Sequence, residues 1–208
     1  YKKYFEGKNI GNWTVKEHSF IDYQPNIMYN PMFPELFENE KLAGLCTLSD
    51  IGKLRFVYDN TGMYCNHSVV ILTLWHKLEE VNYSTIKRII TKDKITTSKN
   101  FSYKYLQTIL NSRMIKFYVK ELSYDGTHFY PNHIKQLPIK KISPEEQKPF
   151  IEVVDKILTI TKSDDYFQNQ SKQDKVKEYE RQIDQTVYKL YELTNDEIKI
   201  VENFDKKI

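Results

Sequence analysis

Lys41-Leu42-Ala43-Gly44-Leu45-Cys46-Thr47-Leu48-Ser49-Asp50-Ile51-Gly52-Lys53-Leu54-Arg55-Phe56-Val57-Tyr58-Asp59 carries the strongest β signal in the chain. Two β-prone runs, 41–48 and 54–59, flank the turn Ser49-Asp50-Ile51-Gly52. In the second run Leu54, Phe56 and Tyr58 fall on one face and Arg55 and Val57 on the other. That alternation predicts a sheet with one buried side.

Working outward, Asn60-Thr61-Gly62 is a further turn, and residues 63–74, rich in Val, Ile and Thr, predict a third strand. Upstream, residues 1–37 mix aromatics with Gly7, Gly11, Pro25, Pro31 and Pro34, which predicts short strands and extended loop. Downstream, a basic segment over 86–99 precedes one long helix over 102–121. Leu106, Ile109, Leu110, Ile115, Phe117 and Tyr118 recur there near the helical period. Residues 123–132 form a loop, and 133–139 predict a short strand closed by Pro138.

Beyond Ser143 the pattern turns helical and glycine disappears. Ser143, Pro144 and Glu146 make a capping box with proline at the first helical position. Phe150, Val153, Val154, Ile157 and Leu158 form one apolar stripe. After the polar break 163–171, Val176, Tyr179, Ile183, Val187 and Leu190 form another. Thr194 and Glu197 box a short last helix. The expected class is α+β: a mixed-sheet domain with a long helix over 1–143, followed by a C-terminal helical hairpin over 144–208.

Composition narrows the function classes. Hydrophobic residues are 40% and charged residues 28% of the 208, which is ordinary for a globular protein. The longest apolar run, 69–75, is broken by Thr73 and falls far short of the roughly 20 residues that span a bilayer. Cys46 and Cys65 are too few for a disulfide framework or zinc cluster, so two reduced thiols in a prokaryotic cytoplasm are expected. No signal-peptide pattern is read at the start, and with Tyr1 rather than Met first the chain is expected to be a piece of a longer one. The net charge of +3 is uneven. Residues 1–143 hold 20 Lys and Arg against 13 Asp and Glu, whereas 144–208 hold 11 against 15. A basic body with an acidic tail suits a protein whose body meets a polyanion.

Catalytic signatures are incomplete. Asn30-Pro31-Met32-Phe33 invites comparison with the Asn-Pro-Pro-Tyr/Phe loop that holds a flipped adenine, but no glycine-rich turn for S-adenosylmethionine precedes it. A loop of proline-fixed geometry is the better account. Glu146-Gln147-Lys148 has nuclease-like spacing without an acidic partner, and capping already explains Glu146. The five histidines (18, 67, 76, 128, 133) show no metal-ligand spacing, and no Gly-x-Ser-x-Gly elbow is present. No catalytic or metal-binding residue is therefore assigned.

Nucleic-acid chemistry fits better. Lys53, Arg55, Lys87, Arg88, Lys92, Lys94 and Lys99 are expected on loops and strand ends. With them stand Asn60, Asn66, His67, Asn100, Asn132 and His133, which can read base edges, and Tyr124, His128 and Tyr130 of the aromatic loop. Arginine pairs bidentately with guanine and Asn with adenine, while lysine mostly neutralises phosphate. For any one of these side chains the plain alternative is a solvated surface.

Several segments carry a resemblance. They include Phe33-Pro34-Glu35-Leu36-Phe37-Glu38, Gly52-Lys53-Leu54-Arg55, and Tyr58-Asp59-Asn60-Thr61-Gly62-Met63-Tyr64-Cys65-Asn66-His67-Ser68. Tyr105-Leu106-Gln107-Thr108-Ile109-Leu110-Asn111-Ser112-Arg113 and Tyr130-Pro131-Asn132-His133-Ile134-Lys135-Gln136-Leu137-Pro138-Ile139 follow in order. Ile183-Asp184-Gln185-Thr186-Val187-Tyr188-Lys189-Leu190-Tyr191 with Leu193-Thr194 comes last. Together, over roughly 30–205, they resemble the C-terminal target-recognition region of TaqI-like adenine-specific DNA methyltransferases and fused type IIG restriction–modification enzymes. Glu192 and Lys140 depart from the family pattern, at a usual glycine and a second proline.

The resemblance implies a double-stranded DNA recognition module that reads bases in the major groove. Its partner would be a separate methyltransferase or nuclease domain, and S-adenosylmethionine and Mg²⁺ belong only to such domains. Three rivals remain: half of a type I specificity subunit, a small complete nuclease, and a protein-interaction scaffold using the tyrosine-rich surface.

Overall fold

The computed structural model describes residues 1–16, 18–48, 50–122 and 131–205. In chain order the elements are β1 (Lys2–Phe5), β2 (Ser19–Ile21), α1 (Glu35–Glu38), β3 (Lys41–Leu45), β4 (Phe56–Asp59), β5 (Tyr64–Cys65) and β6 (Val69–Leu72). The helices α2 (Ser84–Ile89), α3 (Lys92–Ser98), α4 (Tyr103–Asn111), α5 (Arg113–Glu121) and α6 (Pro131–Ile134) follow. Then come α7 (Pro144–Thr161), α8 (Gln170–Leu190) and α9 (Asn195–Asn203). The class is α+β.

The opening hairpin forms with shorter strands than the expected 41–48 and 54–59, since β3 ends at Leu45 and β4 begins at Phe56. β3 pairs antiparallel with β4 through Leu42↔Tyr58, Ala43↔Val57 and Gly44↔Phe56, and antiparallel with β6 through Ala43↔Ile71 and Gly44↔Val70. Leu42, Phe56 and Val70 therefore share one face and join the main core with Tyr105, Ile109 and Ile115. Ala43, Val57 and Val69 take the other face and pack on Phe5 and Ile10. The expectation of one buried side is thus corrected. The N-terminal segment covers the second face, with β1 pairing antiparallel to β2 and parallel to β5.

Three other expectations change. The strand predicted over 63–74 splits into β5 and β6. Asn66 Oδ1 accepts the Ser68 N–H at 3.0 Å, and Val69 N–H donates to Asn66 O, so a local asparagine turn outcompetes the ladder. The helix predicted over 102–121 breaks at Ser112, whose ψ of 153° is extended and whose hydroxyl caps α5 at the Ile115 N–H. The strand predicted over 133–139 instead opens as the helical turn α6, with Pro131 first and Lys135 N–H donating to Pro131 O. Pro138 lacks the N–H a ladder would need.

The tail forms as read. Both capping boxes are closed, Ser143 with Glu146 and Thr194 with Glu197. Phe150, Val154 and Ile157 of α7 and Ile183 and Val187 of α8 are buried in the same cluster as Leu42, Phe56 and Tyr105. The order of packing is therefore N-terminal strands, β4-β3-β6, α4, then the α7–α8 hairpin. Deep in the N-terminal layer, the Lys41 ammonium is fully buried and bonds Asp59 and the Phe37 carbonyl. Asp59 also accepts the N–H groups of Thr61 and Met63.

Candidate nucleic-acid interface

The two ends of β3 sort the sequence-picked residues. Leu45 pairs with Val69 and Gly44 with Phe56, so the connection preceding β4 and the Asn66 turn share one end of the sheet. Cys46 N–H donates to Ser68 O across that end. Lys53, Arg55, Asn66 and His67 lie there. Lys41 pairs with Asp59 and Leu42 with Leu72, so Asn60 and the chain running into α2 and α3 belong to the opposite end. The hairpin residues are not gathered into one strip.

What is gathered is the basic segment, and its geometry differs from the loop placement expected. Lys87 and Arg88 lie on α2, Lys92 and Lys94 on α3, and Lys99 follows as the C-cap of α3. All five are exposed. They are helical because Thr91 caps α3 at the Lys94 N–H, while the apolar side of α2 closes a small satellite core. Phe33, Leu78, Val81 and Ile86 form that core. Phe33 is 8% exposed, so the aromatic of Asn30-Pro31-Met32-Phe33 supports this lobe and is no stacking platform. Lys99 approaches Glu79 at 3.9 Å; among the described residues Lys87, Arg88 and Lys92 form no ion pair.

Trp75, which the sequence reading did not select, lies against this lobe. The Lys94 ammonium is 5.0 Å from its ring centroid, and the two residues line an open groove of about 330 Å³ with Thr97 and Phe101. An aromatic face beside a cation can serve base or sugar packing as well as charge. The available signal was local: Trp75 closes the apolar run 69–75, twelve positions before Lys87.

The remaining picks divide further. Asn100 is structural, its amide donating to Thr96 O and Thr97 O, and its own carbonyl accepting from Gln147. Asn66 is spent on its turn. Asn60 and His67 are exposed, and Lys53 is exposed at the end of a 3-10 turn. Arg55 reaches into a cavity facing α5 and α8, where Nη1 donates to Asn12 Oδ1 at 3.2 Å. Burial there lowers its pKa. Asn132 is exposed on α6 and His133 half-buried beside it. Tyr124, His128 and Tyr130 lie outside the described residues. Among the described residues no three His, Cys, Asp or Glu side chains could hold a metal ion, and no helix is long and apolar enough to cross a membrane.

The segments that carried the family resemblance prove architectural. The Asn111 side chain pairs with the β4 backbone like a strand partner, accepting from Phe56 N–H at 2.7 Å and donating to Phe56 O at 2.9 Å. Gln107 adds a second donor to the same carbonyl at 3.0 Å. Asp184 Oδ1 accepts the Arg113 N–H at 2.8 Å, which fastens the α4–α5 elbow to α8. Tyr191 donates to the Pro138 carbonyl, pinning the extended stretch after α6. These residue types are needed because each answers a backbone group that neither helix nor sheet satisfies.

No match was found among curated proteins. A family does match, over the stretch from just before α2 to the end of the α6 region, containing the basic lobe and two of the resembling segments. Residues 82–139 match the model of a family described as the TaqI-like C-terminal specificity domain.

Proposed function

We propose that this chain is a sequence-specific double-stranded DNA recognition module of a type IIG restriction–modification enzyme or N6-adenine methyltransferase, and that it is not itself catalytic. The α2–α3 lobe supplies the phosphate grip, with Lys87, Arg88 and Lys92 foremost because they form no ion pair among the described residues. Residues 1–143 act as the recognition unit and present side chains to the major groove, and the hairpin of 144–208 orients it against a separate catalytic domain. S-adenosylmethionine and Mg²⁺ would be used by that domain. The observation that carries the reading is the convergence of five exposed cations on one helix pair inside the matched segment.

The type I alternative would use the terminal helices as an exposed coiled coil. Against it, α7 and α8 spend their apolar stripes on their own core through Phe150, Val154, Ile183 and Val187. The scaffold alternative draws on the exposed Phe20, Ile27 and Tyr29.

Fluorescence anisotropy of the whole chain against a randomised duplex pool, at several salt concentrations, tests the proposal. Three neutralised phosphates give a slope of log K against log[salt] of about −2.7. Substituting Lys87→Ala with Lys92→Ala should make that slope shallower by about 2 and weaken all sequences alike. Salt-independent affinity, or partner binding that ignores DNA, would replace this reading with the scaffold one.

A further inference from the structure

A cavity of about 600 Å³ lies between the sheet and the helical tail, at the far end of β3 from the basic lobe, and the DNA reading gives it no task. Five cations converge on it from three parts of the chain: Arg55 ahead of β4, Arg113 and Lys116 on α5, and Lys177 and Arg181 on α8. Three carboxylates share the lining, Glu180, Asp184 and Glu202.

Those acids are already answered by donors other than the cationic side chains. Glu180 Oε1 accepts the Trp13 indole N–H at 2.7 Å, Asp184 Oδ1 accepts the Arg113 backbone N–H, and Glu202 Oε1 accepts the Tyr188 hydroxyl at 2.7 Å. The cations are answered only in part: Arg113 Nη2 donates to Asp205 Oδ1 at 2.6 Å and to the Glu202 carbonyl at 3.2 Å, Lys177 Nζ to Asp174 Oδ1 at 3.0 Å, and Arg55 Nη1 to Asn12 Oδ1 at 3.2 Å. Among the described residues the buried Nε atoms of Arg55 and Arg113 find no hydrogen-bond partner; Arg113 Nε forms an ion pair with Glu202 Oε2 at 3.6 Å, too far for a hydrogen bond. A buried guanidinium donor left unmade is costly, and native structures rarely leave one without reason. Lys116 is strongly desolvated, which lowers its pKa. Asp205 and Asp174 just outside the lining pair with Arg113 and Lys177, so the draw for a phosphoryl group is the two unmade guanidinium donors and the desolvated Lys116 rather than a net charge. The volume falls in the range of small-molecule sites, and guanidinium forks match phosphate oxygens bidentately.

We propose that this cavity binds a phosphoryl group of a nucleotide-sized ligand, held by Arg55, Arg113 and Lys116 with Lys177 and Arg181 at its rim. The inference goes beyond the duplex-binding reading and stands without it. The phosphoryl group has two possible sources, a free nucleotide or a backbone phosphate of bound DNA.

The test uses the full chain, with adenosine 5′-monophosphate, adenosine and a 20-base-pair duplex as probes. Calorimetry measures affinity, and ¹⁵N NMR follows the Arg55 and Arg113 Nε–H resonances. Adenosine 5′-monophosphate should bind and shift both resonances, while adenosine does neither. Arg55→Gln with Lys116→Met should weaken the nucleotide at least tenfold. Lys177→Gln with Arg181→Gln, at exposed positions that leave the fold intact, should weaken it about threefold. Displacement of the nucleotide by duplex identifies a DNA phosphate as the source, and simultaneous binding identifies a free nucleotide; both sustain the proposal. Failure of the DNA reading alone appears as nucleotide binding without duplex binding. Resonances unmoved by nucleotide and by duplex overturn the phosphoryl site, whatever the duplex affinity.

Discussion

Gly44→Ala tests the packing of the central strand. Gly44 lies directly opposite Phe56, and a Cβ built on it would fall 2.6 Å from Phe56 Cδ1 and 3.0 Å from Cζ, with Cε1 nearer still. Ordinary carbon contacts lie at about 3.5–4.0 Å, so the ring must retreat by roughly 1 Å. It has little room. Phe56 is fully buried, and its backbone N–H and carbonyl are both held by Asn111, with Gln107 adding a second bond to the carbonyl. Overpacking of this kind costs about 1–3 kcal/mol, offset by about 0.5–1 kcal/mol from removing glycine's chain entropy. The net loss is about 1–2 kcal/mol, or roughly 2–8 °C in Tm for a chain of this size. Urea unfolding followed by fluorescence and by circular dichroism measures it. Phe56→Leu frees space at the same point, so the double variant should be less destabilised than the two single costs summed, by at least about 0.5 kcal/mol. Gly44→Ala as stable as the parent, or costs that add, would refute the close approach.

Asn111→Ala removes both side-chain bonds to the Phe56 backbone and should cost about 2–3 kcal/mol; Asn111→Asp, which keeps an acceptor but no donor, should also destabilise, measured by the same melts. Burial pushes the Asp184 carboxyl up to about 6, against the Arg113 N–H and Lys116 that favour its charge. The folded chain therefore binds more protons than the unfolded one between pH about 4 and 6, and this group's contribution to stability falls as pH rises through that window. Asp184 keeps some contact with solvent, so about 1–2 kcal/mol is expected over the window, and Asp184→Asn should remove that decline from a plot of unfolding free energy against pH. Coincident slopes for parent and variant would sink the assignment. Tyr191→Phe should loosen the stretch around Pro138, read as faster amide exchange at Ile139 and Lys140, with about 1 kcal/mol lost.

Local rules carried much of the fold into the sequence. The capping boxes at Ser143 and Thr194 depend on residues within a few positions and form where expected, and the alternation of 54–59 located β4, which begins at Phe56. The break at Ser112 was hidden because Ser112 is also a tolerable helix residue; what favours the break is Asn111 reaching β4, more than fifty residues away. The second covered face of β3 was hidden for a similar reason, since the alternation of one strand does not say what arrives from residues 1–10. At the site, composition showed which residues are cationic but not which end of the sheet each would occupy. Lys87, Arg88 and Lys92 come together through sequence proximity, whereas Arg55 joins Arg113 and Lys116 only through tertiary packing.

The clamp on Phe56 has a consequence for association. β4 is an outer strand of its sheet, and outer strands offer open amides to which a second molecule can add. Asn111 and Gln107 occupy the outward amide and carbonyl at one end of β4, and just past the other end the Asp59 carboxylate holds the N–H groups of Thr61 and Met63. Side chains of the same chain thus occupy the backbone where a second molecule would begin to pair, which works against edge-to-edge association of β4.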